Sequence, residues 1–89
     1  KGQILTVAAE NVADAAPNAT STSRGTPTDF GDFGETEFKI TTDAGGNVES
    51  VEILEAGSNF SPSDQLTVQV ESAILGTVPM LLTVKKVSE

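Results

Sequence analysis

Neither cysteine nor histidine occurs in this sequence of 89 residues, and neither does tryptophan or tyrosine. Without cysteine there is no disulfide and no thiolate metal site. Without histidine, the commonest general base, the commonest metal ligand and any imidazole pH switch are absent. No tryptophan or tyrosine is present to form a platform for a sugar ring. Positive charge is scarce as well: five Lys and Arg stand against 13 Asp and Glu, a formal net charge of −8. Such a balance repels phosphate backbones and argues against nucleic-acid binding. It argues against anionic membrane surfaces on the same ground. The longest apolar stretch, Val78-Pro79-Met80-Leu81-Leu82, falls far short of the roughly 20 residues that a membrane-crossing helix needs.

A chain of this length makes one domain at most. Size scaling gives about 4,900 Å² of folded surface against roughly 13,000 Å² unfolded, so about 63% is buried. That suffices for a thin core without a deep, walled pocket, and small domains often gain stability from a partner surface. Lys1 is not an initiator and no hydrophobic signal segment follows it, so a trimmed, processed or partial chain is expected.

Alternation is the strongest pattern present. Phe38 and Ile40 fall on one face, with Glu37, Lys39 and Thr41 on the other. Leu66, Val68 and Val70 repeat this, and so do Val78, Met80, Leu82 and Val84 set against Leu81, Thr83 and Lys85. The period is two and no helical stripe is present, so these are strands. Asp43-Ala44-Gly45-Gly46-Asn47 supplies the residues that tolerate positive φ in a tight hairpin. It predicts that Glu35–Thr42 and Val48–Glu55 pair antiparallel, with Phe38 opposite Ile53, Lys39 opposite Glu52 and Ile40 opposite Val51. In the loop Ala56–Asp64, Phe60 is the lone large apolar residue, and it is expected to plug the nearest core edge. Pro79 lacks a backbone donor, so the last strand is expected to pair from Met80 onward or to lie at an edge there.

The first third reads differently. Ile4-Leu5-Thr6-Val7 is apolar enough for a strand within Gly2–Ala9, and the alanines of Ala8–Ala16 allow a short helical turn closed by Pro17. From Asn18 to Gly34 the chain is Thr, Ser, Gly, Asp and Pro with two phenylalanines. Long connections in compact domains are usually functional or flexible. The reading is an extended arm that orders against a neighbour, anchored by Phe30 and Phe33. The expected fold is therefore all-β, a small antiparallel sandwich or partly open barrel with an extended N-terminal arm. Residues 1–34 form the strand and arm, and residues 35–89 form the antiparallel module.

The chemical motifs are weak. Asp32-Phe33-Gly34 matches the magnesium tripeptide of protein kinases, but no glycine-rich loop, partner lysine strand or catalytic loop accompanies it. Asp29, Asp32, Glu35 and Glu37 are close in sequence and carry the hard oxygens calcium prefers, yet the D-x-D-x-D-G spacing is missing. Paired carboxylates hydrolyse glycosides only with a cleft and one raised pKa. Asn18-Ala19-Thr20 fits the short glycosylation pattern. The Thr-rich strand faces (Thr41, Thr42, Thr67, Thr83) read either as solvated sheet or as an assembly surface. No catalytic residue, cofactor or metal is expected, and the chain is not read as an enzyme.

From Glu37 onward the order of motifs is Phe38-Lys39-Ile40-Thr41, the Asp43–Asn47 turn, Val48-Glu49-Ser50-Val51-Glu52-Ile53 and Ala56-Gly57-Ser58-Asn59-Phe60. Then follow Asp64-Gln65-Leu66-Thr67-Val68, Leu75-Gly76 and Leu81-Leu82-Thr83-Val84. This resembles a β module found, often in tandem, in virion structural proteins of tailed phages, especially those infecting cyanobacteria. Two departures stand out: Asn59-Phe60 replaces glycine and tyrosine, and Pro62-Ser63 replaces a glycine before the aspartate. The first implies that Phe60 is buried without a hydroxyl partner. No catalytic residues belong to the pattern.

The resemblance implies a virion structural protein at the capsid surface, a decoration (cement) protein that ties major capsid proteins or other virion proteins together. The alternative is a repeat of a tail fibre or adhesin that contacts a host surface or glycan. An unrelated extracellular β-sandwich domain and a periplasmic binding module are broader readings. A homo-oligomer is expected, with a trimer among the arrangements. The partner-binding residues under this reading are Ile4, Leu5 and Val7 with Phe30 and Phe33. Deleting Asn18–Gly34 is then expected to abolish binding without unfolding the sheet.

Overall fold

Seven strands build the chain, seen in a computed structural model that describes residues 2–88. They are β1 (Ile4–Ala9), β2 (Thr20–Arg24), β3 (Thr26–Pro27), β4 (Thr36–Thr42), β5 (Val48–Ala56), β6 (Gln65–Glu71) and β7 (Thr77–Val87). They form two antiparallel sheets, a four-stranded one in the order β1-β7-β6-β3 and a three-stranded one in the order β2-β4-β5. The sheets face each other as a sandwich and do not close into a barrel.

The alternating residues make the core. Phe38 and Ile40 of the smaller sheet meet Leu66, Val68, Val70, Met80, Leu82 and Val84 of the larger one, all at most 1% exposed. Each such side chain contributes about 1.5–3 kcal/mol by leaving water. The β4–β5 register is the predicted one: Phe38 opposite Ile53, Lys39 opposite Glu52 and Ile40 opposite Val51. Phe60 plugs the core completely, as expected.

Pro79 sits at an edge. The Gln69 N–H turns away from β7 and donates to Ser23 Oγ (2.9 Å), so Gln69 and Pro79 form a non-hydrogen-bonded pair. The donor Pro79 lacks would have pointed to the other side of β7. There β1 has already ended, opposite Leu82.

The first third departs from the sequence reading. No arm extends from the body, because β2 pairs along β4 and β3 pairs with β6. The described part of the first third, residues 2–34, is thus built into the sandwich: it supplies β1 and β3 to one sheet and β2 to the other. Between β2 and β3 the strand switches sheets at Gly25, where a Cβ would lie 2.6 Å from Thr36 Oγ1 and 2.7 Å from the Phe38 ring. No helix forms within Ala8–Ala16, only a single turn in which the Ala15 N–H donates to the Val12 carbonyl (3.3 Å). Instead β1 runs to Ala9, and Ala15 bridges to Ser72 and is buried.

The physical reason β2 escaped the pattern is its inner face. Ser21 and Ser23 occupy its half-buried inward positions, and their hydroxyls cap the edge of β6. Ser21 Oγ accepts the Glu71 N–H and Ser23 Oγ accepts the Gln69 N–H, both at 2.9 Å. Shape follows from this tucked-in chain. The exposed surface is 5064 Å², close to the roughly 4,900 Å² that size alone predicts, with no excess from an arm. The body measures 38 × 20 × 18 Å.

Candidate functional site

The strand directions give this elongated body two poles. At one, β1 and β4 begin, β5 and β7 end, and Ser88 N–H donates to the Gln3 carbonyl (2.9 Å). This terminal pole carries the 28–34 loop and the 57–64 loop. The distal pole carries the 10–19 segment, the 43–47 turn and the 72–76 connection.

At the terminal pole the 28–34 loop is clamped at both ends. Thr28 N–H donates to the Gln65 carbonyl (3.0 Å), and Ser58 N–H donates to the Phe33 carbonyl (2.8 Å). Asn59 Nδ2 donates to the Asp32 carbonyl (2.8 Å). Asn59 also takes φ 64°, a left-handed conformation that asparagine tolerates better than most residues. The Phe33 ring stacks on Phe60, with centroids 4.6 Å apart and planes at 19°, a contact worth about 0.5–1.5 kcal/mol beyond its burial. Gly57 makes room for it. Its φ is 65°, and a Cβ there would lie 2.6 Å from the Phe60 ring and 2.7 Å from Thr36 Cγ2.

Between the clamps the tip is free. Phe30 is fully exposed, at 106% of the reference surface. With Pro27, Asp29, Gly31, Asp32, Phe33 and Gly34 it lines an open hollow of about 350 Å³.

The five residues expected to bind a partner therefore separate. Ile4 is 2% exposed and belongs to the chain's own core, so it is corrected from partner contact to structural residue. Phe33 is half-buried against Phe60 and serves as the loop's anchor rather than as a free contact. Val7 is half-buried and packs on the core. Leu5, 54% exposed, and Phe30 remain outside. Sequence reasoning missed Ile74 and Leu75, which stand 73% and 60% exposed at the distal pole. Hydropathy could flag them, but it could not say which side of the surface they occupy.

The other candidates resolve into structure. Asp43 Oδ1 accepts the N–H groups of Gly45 and Asn47, both at 2.9 Å, and so is the hairpin's own internal brace. Thr42 is buried. Its hydroxyl donates to the Ala16 carbonyl (2.6 Å) and accepts the Ala19 N–H (2.9 Å). Thr41, Thr67 and Thr83 are half-buried on their strands. Glu35 pairs with Arg24 at the surface, where both side chains are about 70% exposed and the pair adds little stability. Among the described residues no three acidic groups come together in a metal-binding arrangement.

No family model, no curated protein and no solved structure matches this chain.

Proposed function

We propose that this chain is a non-catalytic structural protein of a tailed-phage virion, a capsid decoration protein that docks through its terminal pole. The observation that carries the reading is Phe30. A phenylalanine held wholly in water on a loop clamped at both ends is an anchor prepared for a protein surface. The clamps order the loop before contact, which lowers the entropy lost on docking. Leu5 adds a second exposed apolar side chain on β1, the edge strand of the larger sheet. The resemblance of residues 37–84 to virion modules supplies the setting, with a major capsid protein or another virion protein as partner and self-association into a homo-oligomer on the shell. Acidic character keeps such a component soluble before assembly.

The fibre or adhesin repeat is served less well by this geometry. Gly2 pairs with Phe60, and Ser88 bonds to Gln3, so both described ends lie at one pole. Copies joined in tandem would hang side by side rather than stack into a rod.

The test is occupancy on particles. Capsids stripped of this chain are re-decorated with the wild type or with Phe30→Ser. Burying that ring is worth about 1.5–3 kcal/mol, so the variant is expected to need about tenfold more protein or beyond for half-occupancy. Equal occupancy with an unchanged fold overturns the reading.

A further inference from the structure

We propose that the distal pole carries a second docking surface: a rigid, uncharged aliphatic tip, Ile74–Leu75, that takes a protein partner presenting an apolar depression rimmed by lysine or arginine. This surface is independent of the Phe30 loop and stands whether or not that loop contacts a virion shell.

Main-chain bonding builds the tip. Ser72 bridges to Ala15, and its Oγ accepts the N–H groups of Ile74 (3.1 Å) and Leu75 (2.9 Å). The Ser72 N–H donates to the Gly76 carbonyl (3.2 Å), Ala73 N–H to the Asp14 carbonyl (2.8 Å), and Ala16 N–H to the Glu71 carbonyl (2.8 Å). The loop is thus held by bonds to the 10–19 segment, and neither Ile74 nor Leu75 anchors it by burial. Two adjacent large aliphatic side chains are thus kept together in water, and apolar surface gathered at one place marks an interaction site where scattered single residues do not.

Charge identifies the cover. The acids of this pole are Glu10, Asp14, Asp43, Glu49 and Glu71. Of the described cations, Arg24, Lys85 and Lys86 lie toward the terminal pole, and Lys39 is mid-strand opposite Glu52. The carboxylates are spread out rather than gathered on one ion, so they match dispersed cationic side chains. A second copy is the poorer occupant. Two distal poles would repel each other, and the terminal hollow carries Asp29 and Asp32, with Glu35 nearby. Complementary charge favours encounter and suppresses wrong partners.

The probe is a short, end-blocked peptide of alternating leucine and lysine, titrated into the ¹⁵N-labelled chain. Saturable amide shifts are expected at Ser72–Gly76, Asp14 and Glu71, weakening as salt is raised. The double variant Ile74→Ser/Leu75→Ser is expected to lose tenfold or more in affinity while the sheet amides stay in place. A matched leucine–glutamate peptide is expected to give no shifts. Unchanged affinity in the double variant overturns the proposal. So do shifts centred on Glu49–Glu55 or on the Phe30 loop, or self-association of the chain that the double variant abolishes.

Discussion

The two poles solve one problem in opposite ways: each must order a loop that carries large apolar side chains. At the terminal pole the half-buried Phe33 ring stacks on the buried Phe60 ring, and this packing adds to the hydrogen bonds that clamp the loop. At the distal pole Ser72 and the 10–19 segment hold the 72–76 loop through the main chain, and Ile74 and Leu75 stay outside. Ordering by burial uses up apolar surface, whereas ordering by hydrogen bonds leaves it for a partner. The terminal pole does both within seven residues, since Phe33 is the anchor and Phe30 the free ring.

The sharpest way to break this comparison is Phe60→Ala. It removes the ring on which Phe33 stacks and leaves a core cavity, at an expected cost of about 3–5 kcal/mol by chemical denaturation. The distal loop is expected to keep its amide shifts wherever the variant remains folded.

Next come two of the three positive-φ glycines, one from each pole. Gly57→Ala meets the Phe60 ring and Thr36, and Gly46→Ala (φ 80°) places a Cβ 2.7 Å from the Ala15 carbonyl oxygen. Each is expected to cost about 1–3 kcal/mol. Gly57→Ala alone is expected to disturb the Phe33–Phe60 stack, which aromatic ring shifts would report.

Replacing the serines of β2 is a smaller change. Ser21→Ala/Ser23→Ala leaves the Gln69 and Glu71 N–H groups without their acceptors. About 1–2 kcal/mol in total is expected to be lost, with faster hydrogen exchange at those two amides.

Ser63→Gly acts in the other direction. Ser63 has φ 79° after Pro62, in a turn closed by Asp64 N–H donating to the Ser61 carbonyl (3.1 Å). Glycine suits that position of a type II turn. Relief of the αL strain, less the added freedom of the unfolded chain, predicts a gain of about 0.5 kcal/mol in thermal or chemical unfolding.

Last, Phe30→Ser and Ile74→Ser/Leu75→Ser are expected to change stability by no more than about 0.5 kcal/mol each. Surface positions with a large effect on docking and almost none on folding are what separate a contact from a core residue.

The body of the sandwich was legible because its inner faces are greasy at every second residue. The burial of Leu66, Val68 and Val70 follows from that alternation, the β4–β5 register from the alternation together with the Asp43–Asn47 turn, and the plug role of Phe60 from its being the lone large apolar residue of its loop. β2 was not legible as part of the body, since its inward side chains are serines that satisfy a neighbouring strand's donors instead of excluding water. Its Thr-Ser-Thr-Ser alternation was the available signal. β3 is two residues long and contains Pro27, too short for any periodicity. Because β2 and β3 belong to the sandwich, deleting Asn18–Gly34 would strip a strand from each sheet and expose the β6 edge. It therefore no longer serves as a clean test of binding. Phe30 and Phe33 are three positions apart in one polar stretch, and their different fates depend on the space beside Gly57, which lies 24 residues further along the chain than Phe33.

Hydrogen exchange on the free chain tests the central claim, that the first third is built into the sandwich and only the Phe30 tip is left for a partner. Ser21, Ser23, Gln69 and Glu71 are expected to exchange slowly together with the core strands, while Asp29–Gly31 exchange at the rate of open peptide. If Ser21 and Ser23 exchange as fast as that tip, the segment is an arm after all, and Phe30 loses the rigid support on which the docking account depends.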